Sequence, residues 1–425
     1  MERQGRKVFR GGQRQPTPIS RRAPRHGFVL ARLVKTPLPL LLFLFCTTAI
    51  APAAETGQGF VPMFNGRDLT GWVNANCAPE TWSVRNGMIF CTGHPTGVLR
   101  TTRHYENFIL EVEWRHLSSG GNSGVFVWGS AINPVGVHFL RGIEVQVLDE
   151  GYATQYEQKT GKKSTSFTVH GDVFPIQGAT MKPIGKTNGK RSFPTEDRSK
   201  PSPEWNHYRI EANNGSIRLH VNGKQVSGGD DCNYRKGYLA LESEGGPIEF
   251  RNLRIKELPS TGAAPELTAP LDPGWRSLFN GLDLRGWRTN AAIAARWDAA
   301  HETIALKAGA ASADATLWTT ADYGAAEFIV DFQPAKPAGG ESVAVAKAFV
   351  RGATGRGTAI TLTGAEPGKY SRFTITVRGR TVQVRRDEQP AIETTLAADA
   401  PARGAFGLAA GAGAGQFMNL LAREL

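Results

Sequence analysis

The chain has 425 residues, 40% of them hydrophobic, and contains 49 glycines and 9 tryptophans. Its length exceeds what one hydrophobic core usually supports and predicts about two domains of turn-rich globular structure. The net charge of +12 would favour a nucleic-acid partner if the folded part carried it, but residues 1–54 hold ten Lys/Arg and one acid, a net of +9. Because only +3 is left for the rest of the chain, we expect no nucleic-acid partner.

The N-terminal segment has the order of a secretory signal. Its basic residues precede the apolar run 38-LPLLLFLFCTTAIA-51, and small residues follow in 51-APAAE-55. A run of about 14 apolar residues is short for a membrane span. We therefore predict that residues 1–53 are a signal peptide with a basic extension. The mature protein is expected to be exported, to the periplasm or the extracellular space, with no membrane span.

A nonapeptide occurs twice in the chain, as 64-FNGRDLTGW-72 and as 279-FNGLDLRGW-287. Further matches follow at nearly the same offset up to Trp114, after which the offset falls by about 50 residues. The stretch 259–273 is rich in Pro and Ala and is typical of a linker. We therefore predict a first domain over 60–258, a linker over 259–273, and a shorter, degenerate second copy over 274–425.

The periodicity after the signal is that of β-strands. In 108-FILEVEW-114 apolar residues alternate with acids, which gives one apolar and one polar face. Asn-Gly pairs at 86–87, 214–215 and 222–223 lie between such runs, as tight hairpins require. No amphipathic helix longer than about two turns is expected, and 181–205 is predicted to lack regular structure. The fold class is therefore all-β, with two-sheet sandwiches or jelly rolls.

Acidic and amide side chains on several strands are candidates for a site. In 143-IEVQVLD-149 the apolar residues are expected to face the core, so Glu144 and Gln146 point to the opposite, solvent side. The same alternation applies to Glu111 with Glu113 and to Glu242 with Glu244. If these strands are neighbours, their polar residues form a row on one face. The alternative is that they are ordinary exposed residues, because antiparallel sheets show a polar face to solvent.

Other candidates lie in or near glycine-rich turns. Asn122, His138, Arg141 and His170 occur close to the acidic strands, and Trp128 alternates away from its apolar neighbours. Trp128 is therefore expected to face the groove, where an indole can pack on a sugar ring. No Cys or His spacing specifies a metal, but a divalent metal stays open as an alternative because histidines and carboxylates lie close in sequence.

These motifs together resemble a known family. The sequence FNGxDLxGW, then GNSGVF, then IEVQVLD, then 237-GYLALESEGGPIEFRNLRIKEL-258 is similar to the 3-keto-disaccharide (3-keto-glycoside) hydrolase domain. The resemblance covers nearly all of the first domain and implies a concanavalin A-like or laminin G-like jelly roll. The second domain matches only at the scaffold, because Ala409 and Gly411 stand where Glu242 and Glu244 stand.

The resemblance implies cleavage of a 3-keto-glycoside by removal of the proton next to the keto group, elimination and hydration. Such a site needs a general base, donors for the enolate oxygen and an acid for the leaving group. Glu144 or His170 is then the candidate base, with Asp149 orienting a histidine. The alternatives are a lectin-like carbohydrate-binding module and an envelope adhesion protein. The residues expected to bind the sugar are Asn122, Trp128, His138, Arg141, Gln146, Glu242 and Glu244.

Overall fold

The computed structural model describes most of the chain after the predicted signal segment. The predicted signal, residues 1–53, lies outside the described residues. Within them, no helix combines the length and the apolar character that crossing a bilayer would need. The described residues are 59–168, 170–271, 274–307, 316–336, 345–353, 355–411 and 415–425.

The first domain is built almost entirely of strands. Two short 3-10 helices, Pro79–Thr81 and Pro265–Leu267, and one α-helix, α1 (Glu150–Thr160), accompany them. The strands in chain order are β1 (Val61–Pro62), β2 (Trp72–Ala75), β3 (Trp82–Arg85), β4 (Met88–Cys91), β5 (Gly97–Thr101), β6 (Phe108–His116), β7 (Asn122–Gly129), β8 (Gly142–Leu148), β9 (Val173–Ile176), β10 (Thr180–Pro183), β11 (Lys186–Asn188), β12 (Arg191–Phe193), β13 (Asn206–Asn213), β14 (Ser216–Val221), β15 (Lys224–Asn233), β16 (Tyr238–Ser243) and β17 (Ile248–Glu257).

These strands form two antiparallel sheets that enclose one core. The first sheet has the order β10-β15-β14-β13-β6-β17-β4-β3, with β1 on β17. The second sheet, called the site sheet below, has the order β11-β12-β9-β8-β7-β16-β5-β2. Alternate residues of both sheets meet in a core that includes Trp114, Val145 and Tyr208. The all-β sandwich predicted from the alternation is therefore confirmed.

The hairpins follow the predicted turn chemistry. Asn214 and Gly215 connect β13 to β14 with φ of 46° and 78°, and Asn222 and Gly223 connect β14 to β15 with φ of 46° and 90°. Positive φ at both central residues is the condition for the turn whose twist matches that of the strands. The three Asn-Gly hairpins predicted from sequence are confirmed, because β3 and β4 are joined at 86–87 in the same way.

The second domain repeats this plan with fewer strands. One sheet has the order β20-β21-β30-β23-β26-β27-β28 with β18 on β30, and the other has the order β19-β22-β29-β24-β25. A short helix, α2 (Ala291–Arg296), lies before β20. The strands are β18 (Arg276–Ser277), β19 (Trp287–Arg288), β20 (Trp297–Ala300), β21 (Thr303–Leu306), β22 (Leu317–Tyr323), β23 (Ala326–Pro334), β24 (Ala346–Ala353), β25 (Arg356–Leu362), β26 (Ser371–Arg378), β27 (Thr381–Arg386), β28 (Ile392–Thr395), β29 (Gly404–Ala410) and β30 (Gly415–Glu424).

One local element was not expected from the sequence, and one local prediction is wrong. Helix α1 has 11 residues, about three turns, although none of them is buried. Because it packs no apolar stripe into the core, it leaves no amphipathic pattern in the sequence; its signals are the caps, Asp149 at the N-terminus and Gly161 with φ 71° at the C-terminus. The segment 181–205 also contains regular structure, since β11 and β12 lie within it and extend the site sheet.

Candidate carboxylate site on the first domain

Three strands of the site sheet bring acidic and amide side chains to the face that points away from the core. β7 lies between β8 and β16 and pairs with both. Since the apolar residues of β8 point into the core, the residues that alternate with them along the strand lie on the opposite face of the sheet. We call this set the carboxylate face; its members are Asn122, Glu144, Gln146, Glu242 and Glu244.

The predicted row of carboxylates is only partly assembled. Glu111 and Glu113 lie on β6, which belongs to the other sheet. There Glu111 accepts hydrogen bonds from Arg209 and Arg254, at 3.0 and 2.7 Å. These two acids therefore belong to a surface ion-pair ladder on the opposite side of the sandwich. For these two acids alternation gave the face of the strand correctly, but it carries no information on which sheet a strand joins.

Gly124 makes room for two carboxyl groups to approach across β7. A Cβ at this position would lie 3.0 Å from Oε2 of Glu242, and 3.1 and 3.2 Å from Cγ and Oε1 of Glu144. Glu144 is 7% exposed and Glu242 is 1% exposed. The sequence prediction that Glu144 points to solvent is thus wrong in one respect: the side chain leaves the core but is covered.

Burial and mutual repulsion hold protons on these acids. Burial, and then the charge of Glu244, raise the pKa of Glu144 to about 8. Burial followed by the charge of Glu144 raises the pKa of Glu242 well above its usual value. Among the described residues, Oε2 of Glu242 has no hydrogen-bond partner. Buried carboxyl groups that face one another share protons in this way because they cannot all ionise in a medium of low polarity.

A hydrogen-bonded chain of side chains runs beside these carboxyl groups. The guanidinium of Arg191 donates to Asp172 at 3.0 Å and to Oε1 of Gln146 at 3.2 Å. Nε2 of Gln146 donates to Oδ1 of Asn122 at 2.9 Å, and the Asn122 amide donates to Glu244. The amides are thus held in one orientation between a cation and an acid, so the donors of this face are preorganised.

Glu244 ends this chain of bonds. Burial, and then the charge of Glu302 from the second domain, raise its pKa to about 7. Tyr152 of α1 lies close enough for the charge of Glu244, after burial, to raise the pKa of its phenol. Glu244 is therefore an acid that titrates near neutral pH beside residues from two distant segments.

Sequence reasoning missed several members of this site. Asp172 lies next to Gln146 because their backbones are hydrogen bonded, with Asp172 O accepting from Gln146 N at 2.9 Å. Arg191 comes from the segment predicted to be irregular. The GNSG motif was a signal for Gly124, since a glycine inside a strand often marks a close approach. Nothing local in the sequence indicates Tyr152 or Glu302.

Trp128 does not face the groove. It is fully buried in the core between the sheets, and its indole N–H donates to the carbonyl of Glu106 at 2.8 Å. The prediction from alternation is wrong because Trp128 adopts a φ of 55°, where the pairing of β16 with β7 also shifts register. An irregularity of this kind sends a side chain to the other face of the sheet.

His170 and Asp149 have interior and capping environments. His170 is 3% exposed and lies edge-on to Trp114, and burial lowers its pKa to about 4. Asp149 accepts hydrogen bonds from the backbone N–H groups of Gly120, Gly151 and Ser202. Although burial acts in the opposite direction, these bonds lower its pKa. The structure therefore places the neutral ring of His170 within the sandwich and makes Asp149 the cap of α1.

Arg141 and His138 lie on the loop between β7 and β8. Arg141 donates to Asn233 at 3.2 Å and stacks on the ring of Tyr234. It lines a cavity of about 690 Å³ that includes no residue of the carboxylate face. His138 is half-buried, burial lowers its pKa, and the charge of Glu302 acts in the opposite direction. The two candidates therefore line different cavities, and only His138 lies near Glu302.

Among the residues that the structure describes, no group of three His, Cys, Asp or Glu side chains is arranged to hold a metal ion. The open alternative of a divalent metal therefore gains no ligand set from them.

The first domain is thus a jelly-roll β-sandwich with a cluster of buried acids on one sheet. Residues 59–256 match the model of the 3-keto-alpha-glucoside-1,2-lyase-like domain. This match confirms the resemblance found in the motifs.

Known proteins resemble part of the chain. A 3-keto-disaccharide hydrolase of Bacteroides thetaiotaomicron is 22% identical over an alignment of 257 residues, which covers 47% of this chain and 79% of that protein. A solved structure from Parabacteroides distasonis, assigned to the glycosyl hydrolases, is 21% identical over 47% of this chain and 94% of its own, with a TM-score of 0.35. A carbohydrate-binding module from Bacillus subtilis is 13% identical over 44% of this chain and 96% of its own, with a TM-score of 0.31.

Proposed function

We propose that the first domain cleaves 3-keto-glycosides by proton abstraction, elimination and hydration. The observation that carries the proposal is the group of Glu144, Glu242 and Glu244, in which two carboxyl groups titrate near neutral pH. An acid–base catalyst works best when its pKa lies near the working pH. The matched family and the relative named as a 3-keto-disaccharide hydrolase support the substrate class.

The reaction needs no oxidant, because the ketone at C3 is already present in the substrate. A carboxylate removes the hydrogen at C2, and the electron pair of that C–H bond forms an enolate with the C3 oxygen. The enolate then re-forms the ketone and a C1=C2 double bond, while the C1–O bond breaks and the leaving oxygen takes a proton. Water finally adds across C1=C2, so the net change is hydrolysis. The removed proton and the donated proton balance.

The geometry suggests one assignment of roles. The amide of Gln146 and the guanidinium of Arg191 lie at one end of the site, where donors can hold the C3 oxygen. We assign proton removal at C2 to Glu144, which lies on the same face of β8 as Gln146; because its pKa is raised to about 8, this role requires a pH at which Glu144 is ionised. Glu244 directly follows β16 and pairs with Asn122 at the start of β7, where an acid can serve the leaving group at C1. Preorganised donors at a developing oxyanion are commonly the largest catalytic contribution.

The test separates the base from the acid. The protein is incubated in deuterated water with a 3-keto disaccharide and with its unoxidised form, and mass spectrometry follows cleavage and deuterium at C2. Glu144→Gln is expected to abolish both exchange and cleavage, lowering kcat by about 10²–10⁴-fold. Glu244→Gln is expected to retain exchange while cleavage slows.

The matched control is Ala359→Gln, at the corresponding exposed position of the second domain. It is expected to leave the rate unchanged. Cleavage of the unoxidised sugar at an equal rate, or full activity of Glu144→Gln, would contradict the proposed mechanism.

A carbohydrate-binding domain without turnover is the second candidate. It is favoured by the small exposed fraction of Glu144, 7%, which leaves little of the carboxyl group open to a substrate. Its signature would be sugar binding by calorimetry with neither deuterium exchange nor cleavage of the 3-keto form.

We also propose that the protein is exported, on the order of basic, apolar and small residues in 1–53. Cell fractionation and N-terminal sequencing test this: protein found only in the cytoplasm would contradict export, and an intact Met1 on exported protein would contradict removal of residues 1–53.

A further inference from the structure

The second domain packs against the loop that borders the site. Asp331 is fully buried, accepts from the backbone N–H of Gly136 at 3.0 Å and is paired with Arg372. Arg372 also donates to the carbonyl of Asn133 at 2.8 Å. A Cβ at Gly136 would lie 2.6 Å from the ring of Tyr370. These contacts hold the loop between β7 and β8 on one sheet of the second domain.

A turn of the second domain contacts the segment before β5, and the charge of Glu302 in this turn acts on Glu244. His301 and Glu302, with φ of 51° and 60°, form the turn between β20 and β21. Oε1 of Glu302 accepts from the backbone N–H of Thr96 at 2.7 Å. Thr96 precedes β5, whose first residue pairs with Ser243, and Ser243 lies between Glu242 and Glu244. The turn is thus fixed near the end of β16, which Glu244 directly follows.

A cavity of about 400 Å³ lies next to this turn and is lined by both domains. His138 lines it from the first domain and also lines a smaller cavity beside Glu302. The polar residues that line the larger cavity from the second domain are Asp298, His301, Thr303, Tyr370 and Gln416.

We propose that this cavity is a subsite for the sugar on the leaving-group side of the scissile bond, so that the second domain completes the substrate site. The inference rests on the proposed function, which places the leaving group towards Glu244. Glu302 is a positioning residue, because its bond to Thr96 holds the turn against β5 while His301 and Tyr370 line the subsite.

The chemistry of the cavity fits a neutral, hydroxyl-rich ligand. Imidazole, phenol, hydroxyl and amide groups offer both donors and acceptors, as sugar hydroxyls require. The carboxylates of Asp298 and Glu302 disfavour an anionic ligand. A volume of about 400 Å³ falls within the usual range for small-molecule sites.

The test compares two substrates with the same 3-keto ring and different leaving groups. One is a 3-keto disaccharide; the other is a nitrophenyl 3-keto-glycoside, whose leaving group lacks hydroxyls. His301→Ala and Tyr370→Phe are expected to lower kcat/KM for the disaccharide about 3–10-fold more than for the nitrophenyl substrate, the usual effect of one lost hydrogen bond. KM is expected to carry most of the change.

The control is Arg285→Gln, which removes the exposed contact of Arg285 with Glu80 and leaves the cavity intact. It is expected to leave the ratio of the two kcat/KM values unchanged. Equal losses on both substrates in His301→Ala and Tyr370→Phe, or no loss, would overturn the subsite.

Calorimetry with the unoxidised disaccharide and the corresponding monosaccharide separates this inference from the proposed function. If the wild-type protein cleaves neither keto substrate, the proposed function fails. Weaker disaccharide binding in His301→Ala would then still support the subsite, and unchanged binding would overturn it. Melting curves check that each variant is folded.

Discussion

The outward faces of the two corresponding sheets differ in chemistry although their strands pair alike. In the first domain Phe126 pairs with Ala240 on one side and with Glu144 on the other. In the second domain Phe349 pairs with Gly407 and with Ala359 in the same arrangement. Ala359 thus stands at the position of Glu144. The register shows that a shared scaffold carries acids on one face and small residues on the other.

The next row of the sheet repeats the contrast. Gly124 pairs with Gln146 and approaches Glu242, whereas Lys347 pairs with Thr361 and Ala409. In these described rows, the second face therefore has neither the carboxyl groups nor the glycine that lets them meet. Because the apolar cores of both sandwiches are intact, loss of the polar set does not follow from loss of the fold.

A tryptophan occupies the outward face of the second domain. Trp318 pairs with Gly407, as Arg100 pairs with Ala240 in the first domain. Its ring packs so closely that a Cβ at Gly352 would lie 2.1 Å from it, and one at Gly407 would lie 2.7 Å from it. Glycine in the second face thus accommodates an indole, while glycine in the first face accommodates two acids. The residue that fills the space decides whether the face is a site or an additional apolar layer.

The largest expected effect in this comparison comes from removing that indole. Trp318 is 8% exposed, and Trp318→Ala is expected to lower the free energy of unfolding of the second domain by about 3–5 kcal/mol, as for other large core truncations. Urea denaturation followed by fluorescence measures it, with Trp318→Phe as the conservative control. A loss below about 1 kcal/mol would mean that the ring is not a packing element.

Substitution of Gly124 is the counterpart in the first domain. Gly124→Ala places a methyl group 3.0–3.2 Å from atoms of Glu144 and Glu242, so the two carboxyl groups have to separate. We expect activity to fall by about 10–100-fold, because displacements on the order of 1 Å suffice for such losses. Steady-state rates on a 3-keto disaccharide measure this, and unchanged rates would show that the spacing of the two acids is not used.

Much of the fold follows from local patterns, but the composition of the site does not. Alternation along β8 and β16 placed Glu144 and Glu242 on the outward face, and the Asn-Gly pairs gave the hairpins. Strand order, in contrast, depends on pairings between distant segments, so alternation could not exclude Glu111 from the row. The misassigned Trp128 depended on a single positive φ that no motif in the sequence announces.

The site residues that were missed come from places where sequence gives no local signal. Arg191 lies on a three-residue strand in a polar, proline-containing segment, and Asp172 is placed by backbone bonds to Gln146. Glu302 lies near the site only because the second domain packs onto the first. Such residues become visible once tertiary contacts are known, since their side chains act through position rather than through a pattern.

The acids of the first face should also make stability depend on pH. The pKa of Glu242 is raised in the folded state, so folding is favoured most below the ordinary carboxyl pKa, and this contribution is lost as pH rises through the raised value. Glu242→Gln removes the ionisable group. We expect it to raise the free energy of unfolding by about 1–3 kcal/mol at pH 9 and by less at pH 5. Melting curves at both pH values measure this, and an equal shift at each would contradict it.

The smallest effect on stability and activity is expected at Lys347, the residue of the second face that corresponds to Gly124 of the first. Lys347 is exposed, so Lys347→Ala removes a solvated side chain without opening a cavity or displacing an acid. Its free energy of unfolding should stay within about 0.5 kcal/mol of wild type, and the rate on a 3-keto disaccharide should not change. Equilibrium denaturation and rate measurements on Lys347→Ala and Gly124→Ala, made side by side, test the two corresponding positions. A comparable loss of activity in Lys347→Ala would mean that the second face contributes to the reaction, and the contrast between the two faces would then fail.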